Sequence, residues 1–175
     1  KVGCKQWIGI GSLSEYGNTN SKVNEEYCPL PFTIYGKSKL ASCWATSALC
    51  QAYKMQWSWI RMGSIYGPGD SDHWLIPYVI KSLMSEISPK LTPSEQIWDY
   101  LYVVDAAKAI LSIGNSSVNG IFNLGSGNGV TIKKIVSLID VKINSSASPL
   151  FGALTYNKNQ IMHMEANIDK ISSLT

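Results

Sequence analysis

Charge is scarce in this 175-residue sequence: 15% of its residues are Asp, Glu, Lys or Arg, and the net charge is only +3. No Lys/Arg run or basic stripe stands out, which argues against nucleic acid as a partner. Polar residues break every apolar stretch before the roughly 18 residues that suggest a membrane span. No charged start followed by an apolar middle marks a secretory signal. Cysteines are few: Cys4, Cys28, Cys43 and Cys50 form no C-x-x-C pair and have no histidine at metal spacing. No metal site is therefore expected. Their scatter fits free thiols in a reducing cytoplasm better than a disulfide framework. His73 and His163 lie far apart and read as surface or packing residues. The first residue is lysine and the chain opens on what reads as a helix end, so a piece of a longer protein is expected.

What is present reads as a globular α/β chain, 45% hydrophobic and long enough for a sizeable core. Gln6 to Gly11 (QWIGIG) reads as a buried strand ending in a polar Ser-Leu-Ser-Glu turn. Residues 18–31, rich in Asn, Ser, Glu and Pro, read as a surface loop. From Phe32 to Lys54 there is no proline, and Leu40, Cys43, Trp44, Ala48, Leu49 and Ala52 recur at helical spacing, which predicts a long amphipathic helix. Trp57 to Ile65 is the next strand, closed by the turn formers Tyr66 to Asp70. Within it, Trp57 and Trp59 share one packed face. Strand, helix, strand at this spacing is a βαβ unit, with functional loops at the C-terminal ends of parallel strands.

Downstream the pattern predicts a helix over 75–84, a strand over 97–103, a helix over 105–113, a short strand over 121–124 and a helix over 131–138 with Thr131 as N-cap. Beyond Val141 the chain reads as irregular, apart from a brief helix near Asp169 and a core contribution from Ile161, Met162 and Met164.

Tyr35 and Lys39 lie four apart at the start of the long helix, on one face. A phenol with a pKa of about 10 is a poor base near neutrality. An ammonium beside it favours the phenolate, and a tuned phenol can exchange a proton at a carbon undergoing hydride transfer. Ser12, ending the first strand, can hydrogen-bond the same substrate oxygen. Tyrosine, lysine and serine together make an alcohol/ketone redox site. Taken alone, the Y-x-x-x-K pair reads as an ordinary solvated helix face.

Five stretches in order resemble the extended short-chain dehydrogenase/reductases, the NAD-dependent epimerase/dehydratase family acting on nucleotide sugars. They are GSLSEYG (11–17), YGKSKLA (35–41), IRMGSIYGPGD (60–70), WDYLYVVDAAKAI (98–110) and FNLGSGNGVTIKKI (122–135). The resemblance implies a partial NAD(P)-binding Rossmann-like doubly wound domain over residues 1–70 that carries the catalytic residues. Residues 71–175 are then mainly a small mixed α/β substrate domain, with some elements returning to the sheet. The implied cofactor is NAD or NADP, and the implied substrate a nucleotide-diphosphate sugar.

Carried over residue by residue, Ser12, Tyr35 and Lys39 are the catalytic set. Tyr35, Lys39, Gly63, Ser64 and Ile65 border the cofactor, and Lys39 binds the nicotinamide ribose. Ser14, Ser64, Asp99 and Tyr100 face the substrate, the last two near its diphosphate. Asp105 is expected to cap its helix. A homodimer through the Tyr35–Lys39 helix is also implied, with Cys43, Trp44 and Ser47 either at that contact or facing the core.

Departures from the family pattern narrow the chemistry. Dehydratases carry Asp-Glu after the catalytic threonine, and Leu13 and Ser14 stand there, which disfavours 4,6-dehydration. What remains is an NAD(P)-dependent 4-epimerase or 4-keto-sugar reductase, and the stretches 91–103 and 151–166 resemble bacterial reductases and epimerases of deoxysugar biosynthesis. Trp98 replaces the arginine before Asp-Tyr, so positive charge for a diphosphate is expected from Lys81 or Lys90. No G-x-x-G-x-x-G turn is present: Gly9 and Gly11 fall inside a strand, and Gly125, Gly127 and Gly129 match a sugar-domain loop. This chain alone is expected to bind NAD(H) poorly. The alternative is a truncated, inactive relative that only binds a nucleotide sugar or a partner.

Overall fold

The computed structural model describes residues 3–174. Lys1 and Val2, where the sequence reads as a helix end, lie outside the described residues. The apolar run QWIGIGS forms β1 (Gln6–Ser12) and passes into a 3-10 turn (Leu13–Glu15). A three-residue strand, β2 (Ser21–Val23), follows and leads to the 19-residue helix α1 (Ile34–Ala52). Next come β3 (Gln56–Met62), β4 (Ser64–Tyr66) and α2 (Leu75–Met84). The chain continues through β5 (Ile97–Trp98), β6 (Tyr100–Tyr102), α3 (Val103–Asn115) and β7 (Gly120–Leu124). It ends with β8 (Val130–Thr131), α4 (Ile132–Ile143), β9 (His163–Ala166) and α5 (Asp169–Ser172).

Three parallel strands in the order β1-β3-β7 form the first sheet, with Gln6 opposite Gln56 and Ser58 opposite Gly120. Side chains alternate across it. Ile60, Phe122 and Leu124 meet Ala106 and Ile113 of α3 and Ile171 of α5, the first core cluster. Trp57 and Trp59 turn to the other face, where their rings stack at 6.5 Å and Trp57 Nε1 donates to Thr46 Oγ1 of α1 at 3.1 Å. Helices on both faces of a parallel sheet make this an α/β fold of Rossmann type. The second sheet, β2-β9-β5-β8, has one antiparallel pair, β5 with β8. Val79 and Leu83 of α2 pack on Ile132 and Val136 of α4, a separate core under that sheet. Among the described residues no helix is long and apolar enough to cross a membrane.

Five expectations change. Residues 18–31 are not all loop, because Ser21–Val23 pairs with β9, and β9 itself lies in the tail that reads as irregular. The strand expected over 57–65 breaks at Gly63, whose N–H bonds Leu124 O at 2.7 Å. Ser64 then bonds Asp99 O at 3.3 Å, and β4 leaves the first sheet to pair with β6. The strand expected over 97–103 is likewise split, at Asp99. Asp105 is not an N-cap. Tyr102 holds that place, and Asp105 sits in the first turn, exposed and 3.4 Å from Lys108 Nζ.

Candidate active site

Ser12 stands where β1 ends at the C-terminal edge of the first sheet, the edge at which parallel sheets present ligands. The chain turns there because Ser12-Leu13-Ser14-Glu15 is a capping box. Ser12 Oγ accepts from Ser14 N at 3.1 Å, and Glu15 Oε1 accepts from Ser12 N at 2.9 Å. With its oxygen engaged as an acceptor, the Ser12 hydroxyl keeps its proton to donate.

Glu15 does more than close the box. It is fully buried, and Oε2 lies 2.8 Å from Arg61 Nε while Trp59 Nε1 donates to Oε1 at 3.0 Å. Arg61 is 1% exposed, with Cζ 4.4 Å from the centre of the Tyr16 ring. Tyr16 Oη donates to Asn123 Oδ1 at 2.8 Å, and Asn123 Nδ2 donates to Val23 O at 3.0 Å. Burial raises the Tyr16 pKa above its ordinary value against the lowering effect of Arg61. Burial opposes the charge on Arg61, yet Tyr16 and Glu15 outweigh it and hold its pKa above the usual arginine value. Cys43, against the same network, has its thiol pushed up to about 11, chiefly by burial and then by Glu15. A buried ion pair thus sits directly beneath the serine turn. The sequence shows Glu15 only as the end of a polar Ser-Leu-Ser-Glu turn, although its S-x-x-E pattern is the signal that finds the box.

Helix α1 starts at Thr33, whose Oγ1 accepts from Gly36 N at 3.0 Å. Gly36 lets the helix touch the serine turn: a Cβ there would lie 2.5 Å from Ser14 O and 3.0 Å from Pro31 Cβ. This contact seats the first turn of α1 on the turn that Ser12 heads. Lys39 Nζ donates to Ile10 O of β1 at 2.9 Å and stands 5.8 Å from the centre of the Tyr35 ring. Tyr35 itself is 56% exposed. We expect Gly36→Ala to abolish turnover while circular dichroism stays helical, since alanine favours helix but forces the two elements apart. Unchanged activity in that variant would mean the contact is not needed.

The other expected site residues separate. Ser14 is half-buried beside Ser12. Gly63 lies between β3 and β4, and a Cβ built on it would stand 3.3 Å from Leu13 Cδ1. Ser64 Oγ accepts from Trp98 Nε1 at 2.7 Å, so the tryptophan in the arginine's place is tied to the strand end. Ile65 packs into the first core.

Asp99 is 1% exposed and its carboxylate is spent on the protein: Ser126 N and Oγ donate at 2.7 and 2.5 Å, Gly127 N at 3.1 Å and Ala166 N at 3.2 Å. It staples the 125–129 loop to β9 instead of presenting an oxygen to a ligand. Tyr100, pushed up to about 12 by burial and then by Asp70, lines a 1090 Å³ cavity between α2 and α4 that includes none of Ser12, Tyr35 and Lys39. Lys81 borders that cavity, paired with Asp72. On α1, Cys43 is buried, Ser47 half-buried and Trp44 64% exposed.

The glycines answer the cofactor question in part. The Trp59 indole fills the space beside Gly9 and Gly11, while Gly125, Gly127 and Gly129 lie against Asp99, Ile168 and Ile97 with Glu165. Each touches protein, so none of these five cradles a pyrophosphate.

The model of the NAD dependent epimerase/dehydratase family matches residues 1–125. This chain belongs to that family. The chain is 28% identical over 151 residues to a dTDP-4-dehydro-6-deoxyglucose reductase of Escherichia coli, a match covering 83% of the chain and 48% of the relative. To a CDP-abequose synthase of Salmonella typhimurium it is 31% identical over 122 residues, 66% of the chain and 41% of the relative. A UDP-N-acetylglucosamine 4-epimerase from Methanobrevibacter ruminantium superposes with a TM-score of 0.91 at 24% identity, covering 98% of this chain and 56% of that one. The likeness in structure is one of fold. The chain spans about half the length of the curated relatives it matches.

Proposed function

We propose that this chain carries the catalytic residues of an NAD(P)-dependent nucleotide-sugar enzyme acting at C4, as a 4-keto-sugar reductase or a 4-epimerase. The observation that carries the reading is the Gly36 contact, which seats the start of α1 on the turn headed by Ser12 while Lys39 is tethered to β1. Tyr35 Oη exchanges a proton with the C4 oxygen, and Ser12 Oγ–H donates to that same oxygen. Lys39, tethered to β1 through Ile10 O, keeps an ammonium 5.8 Å from the centre of the phenol ring. Tyr35 and Lys39 are the residues that would hold the ribose end of a nicotinamide, which, when bound, would supply or accept hydride at C4. The pyrophosphate end finds no glycine cradle in residues 3–174, so the cofactor is held weakly here unless a longer polypeptide completes the pocket. The reductase among the curated relatives supports reduction over epimerisation.

The test supplies the chain with NADH and a dTDP-4-keto-6-deoxy sugar and follows NADH consumption. Oxidation of NADH with one reduced sugar formed per NADH is the expected result. A folded chain that binds both the nucleotide sugar and NADH yet consumes no NADH would instead establish the binding-only alternative. Catalytic exchange of the C4 configuration without net NADH loss would identify the epimerase.

A further inference from the structure

A second cavity, of 890 Å³, lies against the start of α1 on the flank away from Tyr35. Its walls include Tyr27, Phe32, Lys37, Lys158, Asn159 and Gln160, and none of Ser12, Tyr35 or Lys39. Helix residues advance by about 100°, so Lys37, midway between Tyr35 and Lys39 in sequence, points about 200° from each of them.

The chemistry of the walls is one-sided. No Asp or Glu lines the cavity. Neither Lys37 nor Lys158 takes part in an ion pair among the described residues, whereas Lys22, Lys81 and Lys108 each have a carboxylate partner. Two ammonium groups facing one concavity without a counter-charge hold a positive potential there. Aromatic surface stands beside that charge: Tyr27 and Phe32 are 41% and 42% exposed. The Tyr27 ring is braced edge-on against buried Tyr16, with centres 6.0 Å apart at 85°. Gln160 Nε2 is committed to Ile161 O at 2.9 Å, which directs its amide oxygen to serve as the acceptor for a hydroxyl or N–H.

We propose that this cavity is a second ligand site that takes a ring-bearing organic phosphate. The phosphate lies between Lys37 and Lys158, the ring rests on Tyr27 and Phe32, and the side-chain amides of Asn159 and Gln160 meet its polar edge. The site is separate from the Tyr35 centre and does not depend on the reading of that centre as catalytic.

Three probes separate the parts of the ligand: inorganic phosphate, glucose 1-phosphate and uridine monophosphate, each titrated into the full chain with binding followed by NMR or calorimetry. At least one ring-bearing probe should bind at least about tenfold more tightly than inorganic phosphate, because ring stacking adds to the charge-assisted contacts. Which of the two binds more tightly tells a sugar source from a nucleoside source. Lys37→Gln with Lys158→Gln should weaken that binding about tenfold or more, and raising the salt should weaken it too. Tyr27→Ala should remove the preference for a ring over bare phosphate. Tyr35→Phe and Ser12→Ala should bind the probes as the parent does. No binding up to about 10 mM overturns the proposal, since affinity that weak leaves no specific site. So does undiminished binding by the folded lysine double variant, or equal loss in Tyr35→Phe, which would place the phosphate at the other centre.

Discussion

Phenylalanine at position 35 is expected to lower turnover by about 10²–10⁴-fold, the usual contribution of a positioned proton donor. Stability should hardly change. Tyr35 is more than half exposed, and its hydroxyl makes no hydrogen bond among the described residues, so removing the oxygen leaves no buried group unpaired. Steady-state NADH consumption and a urea melt on the same preparations decide it. Turnover within about fivefold of the parent would show that the proton comes from another group, since a lost proton transfer costs at least about a hundredfold. A loss of activity matched by a lowered unfolding midpoint would show a structural part for the phenol.

Leucine at position 15 is expected to destabilise the chain by about 3–5 kcal/mol, because it strands a buried guanidinium without its counter-charge. That is a large share of the roughly 5–15 kcal/mol by which a domain of this kind is stable. Glu15→Gln should cost less. Its amide oxygen can still accept from Ser12 N and Trp59 Nε1, so the serine turn keeps its cap while Arg61 loses the charge beside it. Replacing Glu15 and Arg61 together by leucine should recover part of the loss, since an apolar pair avoids the desolvation that a single buried charge suffers. Urea unfolding of the four proteins reads all of this directly. A Glu15→Leu cost below about 1 kcal/mol would mean that water reaches Arg61 and that the pair is not a closed network.

The family and the central unit were legible in the residues because they rest on local patterns. Apolar runs of strand length, a proline-free stretch with helical recurrence, and Tyr35 four places from Lys39 each specify their neighbourhood through spacing alone. Helix α2 runs over the residues its pattern predicts, and Thr131 caps α4 through its own hydroxyl, because a cap is a contact between residues three apart. Ser12 and Glu15 belong to the same class, and their capping box was open to the same reading.

Strands β2 and β9 had no such signal. Three and four residues are too few to show a period; β2 exists because it pairs with β9 across more than a hundred positions, and β9 because it pairs with both β2 and β5. Shorter separations hid other partners: Arg61 lies 46 positions from Glu15, and the four donors that hold Asp99 inward lie 27 to 67 positions from it. Motif and spacing determined which residues this protein has for its chemistry. Tertiary structure alone decided which of them stay exposed and which are consumed in holding the others still, because burial and long-range hydrogen bonding are properties of the packed chain.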